Sequence, residues 1–254
     1  MLWWTGRTLL RSQLGTPLLK AGDMEMTKME LNADFDQSVQ VTPAEHDWVS
    51  SPMPGVERMM LDRLGAEVAR ATTIVRYAPG SAFSAHTHDG GEEFIVLEGV
   101  FEDEHGAFPV GSYIRNPPGS SHTPSAPEGA VIFVKLWQFD PDDRSHVRID
   151  TGKLGAVADA ARPGVSVSPL FEDPYESVSM ETWAAGTEAI VDAPGGAEIF
   201  VLSGSISADG ATLDPWSWMR RPDGDGVLLR AGADGARLWV KRGHLRHVSA
   251  PGNR

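Results

Sequence analysis

The sequence predicts an all-β protein made of two consecutive copies of one barrel. Three observations lead there. Short apolar, β-branched stretches recur at even spacing, each bounded by glycine or proline. No long stretch carries the helical period. The second half repeats the strands and turns of the first at an offset of 105 to 106 residues.

The bulk properties agree with that class and exclude others. The chain has 254 residues, enough for one large or two modest domains. Its 27 glycines and 18 prolines suit many strands joined by tight turns. Lys and Arg total 22 against 35 Asp and Glu, a formal charge of −13, which repels phosphate backbones and anionic lipid. Neither nucleic acid nor a membrane is an expected partner, and a cytoplasmic location is expected. There is no cysteine, so disulfides and thiolate chemistry are excluded.

Taken in order, residues 1–25 read as a flexible or non-native extension. Within residues 1–22, Arg7, Arg11 and Lys20 sit among leucines and tryptophans with no acidic residue. No apolar run there is long enough for a signal sequence or a membrane span. An organellar transit peptide is the other reading. From Phe35 to Leu64 the signals are mixed. Trp48 and the stretch Ser51-Pro52-Met53-Pro54-Gly55-Val56 read as an extended arm packed on a sheet, since proline density forbids a long helix. Strands follow at Ala71–Tyr77, Glu93–Leu97, Ser112–Arg115 and Ala130–Trp137. Residues 151–164 are a linker, and helix has support only over Gly155–Ala161.

The repeat then begins. Gly91–Gly99 aligns with Gly196–Gly204, Ser112–Gly119 with Ser217–Gly224, and Glu128–Lys135 with Asp234–Lys241. The expected organisation is a first barrel over 26–150 and a second over 165–247. Trp183, Trp216, Trp218 and Trp239 are expected to be core rather than a ligand cage.

Chemistry is concentrated between Gly80 and His122. His86 and His88, two apart on a strand, aim two imidazoles at one side. Glu92 follows Gly90-Gly91, and His122 lies in Pro117-Pro118-Gly119-Ser120-Ser121-His122. Three imidazoles and a carboxylate make a competent site for a divalent first-row metal. The positions aligned with these in the second copy are Asp192, Pro194, Ala197 and Val227, so one metal per chain is expected, with none in the second barrel. His46 and His105 read as surface histidines.

The spacing of these residues resembles the two motifs of the cupin superfamily, Gly-x5-His-x-His-x3-Glu-x6-Gly and Gly-x5-Pro-x-Gly-x2-His-x3-Asn. The first matches from Gly80 to Gly99. The second matches from Gly111 to His122 and fails at its last position, Ala126. The stretches His86–Phe101 and Arg115–His122 resemble the ChrR-type cupins in particular. That resemblance covers roughly Met26 to Asp140 and extends more weakly to about His244. It implies a bicupin, two double-stranded β-helix (jelly-roll) barrels, with the metal held by His86, His88, Glu92 and His122. It also implies a homodimer, since cupin barrels expose an apolar sheet edge that a partner strand can cover.

Zinc and iron(II) lead the metals this ligand set suits, with manganese and nickel also admitted. Four-coordinate zinc would close the site, whereas a six-coordinate metal leaves room for substrate. The leading expectation is a dioxygenase-like enzyme acting on a small organic molecule. Acetylacetone-cleaving dioxygenases are similar cupins, although they use three histidines without the glutamate. The alternatives are a ChrR-like sensory module or a small-molecule-binding protein with structural zinc. ChrR is an anti-sigma factor with a zinc-binding helical domain ahead of its cupin. Here there is no cysteine and 47 residues precede Trp48, so sigma-factor inhibition is not expected. Phe94, Tyr113, Arg115 and Lys135 are the candidate pocket residues. For Arg115 and Lys135 the competing reading is outward-facing strand charge.

Overall fold

The structure, a computed structural model, describes residues 29–65 and 68–252, so the expected N-terminal extension lies outside the described residues. The chain folds into β1 Met29–Leu31, β2 Val39–Val41, β3 Val49–Ser50, β4 Val56–Gly65, β5 Ala69–Tyr77, β6 Ser81–Ala82, β7 His86–His88, β8 Glu92–Asp103, β9 Gly106–Pro109, β10 Ser112–Asn116, β11 Ser120–His122, β12 Ser125–Ala126 and β13 Ala130–Leu136. The second half contains β14 Val147–Asp150, β15 Val157–Ala158, β16 Val165–Glu172, β17 Ser177–Trp183, β18 Glu188–Val191, β19 Ala197–Ala208, β20 Ala211–Leu213, β21 Trp218–Arg221 and β22 Val227–Arg242. There is no α-helix among the described residues. Gly155–Ala161, where helix had some support, instead contributes β15 and polar turns, one of them closed by the Asp159 carboxylate on the Ala161 N–H. Among the described residues no helix is long and apolar enough to cross a membrane.

Both halves use one strand order. The central strands run β4-β5-β13-β8-β10 in the first and β16-β17-β22-β19-β21 in the second. The same turn glycines make this possible. Gly99 and Gly204 both adopt φ 68°, and a Cβ at either would collide with the carbonyl of Gly129 or Gly235 on the neighbouring strand. Only glycine permits that approach.

The halves also exchange arms. β2, which leads into the first barrel, pairs with β21 of the second, and β14, which leads into the second barrel, pairs with β10 of the first. In each case a strand from elsewhere in the chain covers the sheet edge. The arm around Trp48 runs into β3, which pairs with β4, and the Trp48 ring lies under the Arg76 guanidinium at 3.8 Å.

Strand alternation sorts the side chains of the first barrel onto two faces. Phe94, Val96, Ile114, Ile132 and Val134 point into the barrel with Val75 and Phe101. Ile95, Tyr113, Val131 and Phe133 point the other way, against Val178, Met180, Phe200, Trp218 and Trp239 of the second barrel. Phe133 and Phe200 stack with centroids 4.2 Å apart.

That interface is also charged, and the charges follow the repeat. Lys135 Nζ meets Glu198 Oε2 at 2.5 Å, and Lys241 Nζ meets Glu93 Oε2 at 2.5 Å. Lys135 and Lys241 are equivalent in the two copies, as are Glu93 and Glu198, so each barrel gives a lysine and receives one. Arg115 bonds Glu176 at 2.5 Å, and its counterpart Arg220 bonds Asp62 at 3.3 Å. Burial pushes Glu198 up, but Lys135 and His244 outweigh it and hold the carboxyl well below its ordinary range. Buried charges of this kind are tolerated because each finds an opposite charge and further hydrogen bonds.

Candidate metal centre

The turn Gly90-Gly91 decides whether Glu92 can join the histidines. The Trp137 ring packs directly over Gly90, and Phe139 over Gly91, so that a Cβ at either position would enter a ring. Gly91 has φ 77°, and its N–H donates to the His88 carbonyl at 3.1 Å. The chain reverses there and starts β8 with Glu92 facing the barrel interior. β11 pairs with β7 in a two-stranded sheet that sets His122 opposite His86.

The three histidines offer ligand atoms within 4.8 Å of one another. The Nε2 atoms of His88 and His122 are 3.0 Å apart, and Glu92 Oε2 stands 3.4 Å from the first and 3.7 Å from the second. Two donors on one first-row ion, each about 2.1 Å away, lie about 3.0 Å apart at a right angle and about 3.4 Å apart at a tetrahedral angle. The His88–His122 and His88–Glu92 separations fit such an ion, and the Glu92–His122 separation is slightly wider. Protonation also fits. Burial lowers the His88 pKa to about 4 and lowers His122 as well, so both imidazoles are neutral near pH 7 and keep a lone pair. Burial pushes the Glu92 carboxyl up, opposed by His122 and by the Asn116 amide.

Three of the four candidate ligands have a supporting partner. His122 Nδ1 donates to Asp103 Oδ2 at 3.2 Å, and His86 Nδ1 to the Ser84 carbonyl at 3.1 Å, which leaves Nε2 of both rings for a metal. Asn116 Nδ2 donates to Glu92 Oε2 at 3.1 Å. Such partners fix ring orientation and basicity. Sequence reasoning missed Asp103 and Asn116. Asn116 lies directly across the β8–β10 pair from Glu92, so a correct strand pairing would have found it. Asp103 reaches His122 from the far end of β8, which no local spacing reveals.

A cavity of about 470 Å³ opens beside the cluster and is lined by His86, His88 and Glu92. Val56, Val75, Phe83, Val134, Leu136 and Trp137 supply much of its apolar wall. Of the four residues named as pocket candidates, none lines it. Phe94 is on the interior side, but beneath the cavity, against Phe101, which packs on His122. Tyr113, Arg115 and Lys135 occupy the opposite face of their strands. Tyr113 donates to Glu93 at 2.5 Å, Arg115 is enclosed by Glu93, Asp143 and Glu176, and Lys135 bonds Glu198 and Thr72. They hold the two barrels together. Outward-facing strand charge was the right orientation for Arg115 and Lys135, but the second barrel covers that face.

The second barrel needs a correction of one residue. β18 pairs with β22 so that Val191 faces Val227, just as His86 faces His122. The equivalents of His86 and His88 are therefore Val191 and Ala193, not Asp192 and Pro194, which point outward and are exposed. Val191, Ala193, Ala197 and Val227 are all buried. Apolar core fills the place that the metal cluster takes in the first barrel.

Comparison with known proteins agrees with this architecture. Residues 36–140 match the family described as the ChrR Cupin-like domain. No curated protein sequence matches the chain significantly. Among solved structures, a candidate dioxygenase from Nostoc punctiforme superposes with a TM-score of 0.68 at 15% identity, covering 85% of this chain and 86% of that one. The bacterial pirin YhhW of Escherichia coli, in complex with nickel(II), gives 0.59 at 13% identity, covering 82% and 99%. Streptomyces albus HEPD, with 2-hydroxyethylphosphonate and Fe(II) bound, gives 0.58 at 9% identity, covering 84% and 77%. At these identities the structural likeness shows the fold alone. The family match over residues 36–140 agrees with the shared strand order and the His-x-His cluster, and in that stretch the chain is similar to the ChrR Cupin-like domain.

Proposed function

We propose that the protein is a metal-dependent, dioxygenase-like enzyme that acts on a small organic molecule in the first barrel. One observation carries this reading: the cavity of about 470 Å³ reaches His86, His88 and Glu92 directly, so the donor cluster is open to a ligand. A purely structural zinc site is closed by its four protein ligands. A divalent ion held by His86, His88, Glu92 and His122 supplies Lewis-acid activation and a place for substrate oxygen. The chain's own residues do the rest. Asp103, Ser84 and Asn116 hold the donors in place. Phe83, Val134, Leu136 and Trp137 exclude water and grip an apolar substrate body. Two structural neighbours support this reading, one described as a candidate dioxygenase and one with a substrate and Fe(II) bound.

The match of residues 36–140 to the ChrR Cupin-like domain favours a second reading, a sensory metal-binding module. Oxygen uptake separates the two. Iron(II)-loaded protein is expected to consume dioxygen with a β-diketone or a hydroxylated aryl ketone, and His88→Ala to abolish the uptake. Fully metallated protein holding four-coordinate zinc, with no exchangeable position and no uptake, would replace the enzyme by the sensor.

A further inference from the structure

The cavity beside the histidines has a basic wall that the metal centre does not use. Both of its cations come from β4. Arg58 and Arg63 are an odd number of residues apart, so a regular strand would send them to opposite faces. A β-bulge between Met60 and Asp62 changes the register, with Met60 opposite Thr73 and Asp62 opposite Thr72. After it, Arg63 falls opposite Ala71 while Arg58 stays opposite Val75, and Ala71, Val75 and both arginines line the cavity. Bulges next to binding sites commonly re-aim a side chain in this way.

We propose that this wall is the binding site for a carboxylate on the substrate, so that the substrate class is a small organic carboxylate with an apolar body, such as a carboxylate-bearing β-diketone or aryl ketone. The inference rests on reading this cavity as the substrate pocket. Arg58 is partly buried and makes no ion pair among the described residues, although the chain carries a large excess of acid. Arg58 and Arg63 line the same cavity, and burial, followed by the positive charge of Arg58, lowers the pKa of Arg63. Two like charges on one wall of a mostly apolar cavity favour an anion beside them. The planar fork of a guanidinium matches a planar carboxylate.

Tyr77 links this wall to the metal centre. It lines the same cavity, and its phenol is pushed up by burial and by Glu92 and drawn down by Arg58. It therefore stays protonated as a hydroxyl donor between the basic wall and the glutamate. Asp89 also lines the cavity and adds a negative charge to it. A carboxylate on Arg58 and Arg63 points the apolar body and reactive end of the molecule toward His86, His88 and Glu92.

The test uses two probes of matched shape, 3-phenylpropanoate and its neutral amide, titrated calorimetrically into the full chain with and without metal. The acid is expected to bind at least about tenfold tighter than the amide in both forms, which corresponds to about 1.4 kcal/mol. Arg58→Gln and Arg63→Gln should each remove most of that ratio while leaving amide affinity and the unfolding midpoint unchanged. Arg76→Gln, which alters a cation stacked on Trp48 outside the cavity, should preserve the ratio. Equal binding of acid and amide, binding of neither, or a ratio retained in both cavity variants would overturn the proposal. The wild-type ratio needs no variant, so a misfolded mutant does not blunt the test. A ratio that persists in protein unable to hold a metal would uphold the anion site and remove only the metal-dependent reading.

Discussion

Lys241→Met tests whether reciprocal ion pairs hold the two barrels together. Lys241 Nζ lies 2.5 Å from Glu93 Oε2 and 2.8 Å from Glu176 Oε2, and all three side chains are at most 4% exposed. Removing one partner of a buried pair costs about 3–5 kcal/mol, because the remaining charge has lost its counter-ion in a dry place. Two features place this variant at the low end. Glu93 keeps the Tyr113 hydroxyl at 2.5 Å and Arg115 at 3.4 Å, and Glu176 keeps Arg115 at 2.5 Å. The expected loss is therefore about 3 kcal/mol, a fall in Tm of roughly 6–12 °C for a chain of this size. Urea unfolding followed by tryptophan fluorescence and by far-UV circular dichroism measures it, and both signals should move together because Trp218 and Trp239 sit in the interface. Adding Glu93→Gln should restore part of the loss, since the stranded charge is then gone. Lys153→Met is the control. Its pair with Asp150 at 2.9 Å is close to the Lys241–Glu176 distance, but the lysine is 85% exposed, and the midpoint should not move. A Lys241→Met loss below about 1 kcal/mol would refute the claim that these pairs stabilise the interface.

Two further outcomes follow from the same geometry. Stability should fall as pH drops from about 6.5 to about 3 and level off above 7. Burial lowers His244 to about 3 despite Glu198, so the unfolded chain takes up its proton first; Glu93, raised by burial but drawn down by Lys241 and Arg115 to about 2, adds the same sign below its ordinary range. In metal-free protein, where His88 contributes as well, His244→Asn should reduce the slope between pH 6.5 and 5 by about one proton, or 1.4 kcal/mol per pH unit, and an unchanged slope would show that His244 is not the titrating group. Asp103→Ala should weaken metal affinity by about 10- to 100-fold in a chelator competition with the fold intact, since His122 loses the acceptor that sets its tautomer. Unaltered affinity would mean that the Asp103–His122 bond does not support the ligand.

The sequence exposed the ligands of the candidate site more clearly than their surroundings. His86, His88, Glu92 and His122 are legible because a strand period of two and fixed turn glycines leave little freedom in where they point. The repeat is legible for the same reason, since Gly99 and Gly204 permit the same close strand approach. The one-residue error at Asp192 and Pro194 came from carrying the 106-residue offset of the last strand back to the first. The β19–β22 pair has two register shifts where β8–β13 has one, so that offset applies only near the end of the repeat. Tyr113, Arg115 and Lys135 were misplaced because a single barrel has an inside and a wet outside, whereas here the outside of one barrel is the inside of the pair. A signal was present: Lys135 and Lys241, Glu93 and Glu198, and Arg115 and Arg220 recur at matching positions, which solvated charges have no reason to do. Arg58 and Arg63 were hidden by the bulge, which reverses strand parity without a glycine or proline to announce it.

Metal content per chain tests the central claim most directly. Elemental analysis of wild type, His86→Ala and Asp192→Ala, each purified without added metal, should give about one, near zero and about one. Each ligand is a large share of a binding free energy that reaches roughly 10 kcal/mol or more in tight sites, so loss of one imidazole empties the centre. Asp192 is exposed, and the second barrel's equivalent positions are Val191, Ala193, Ala197 and Val227, all of them apolar core. Two metals in the wild type, or full loss on Asp192→Ala, would contradict the assignment of the centre to the first barrel.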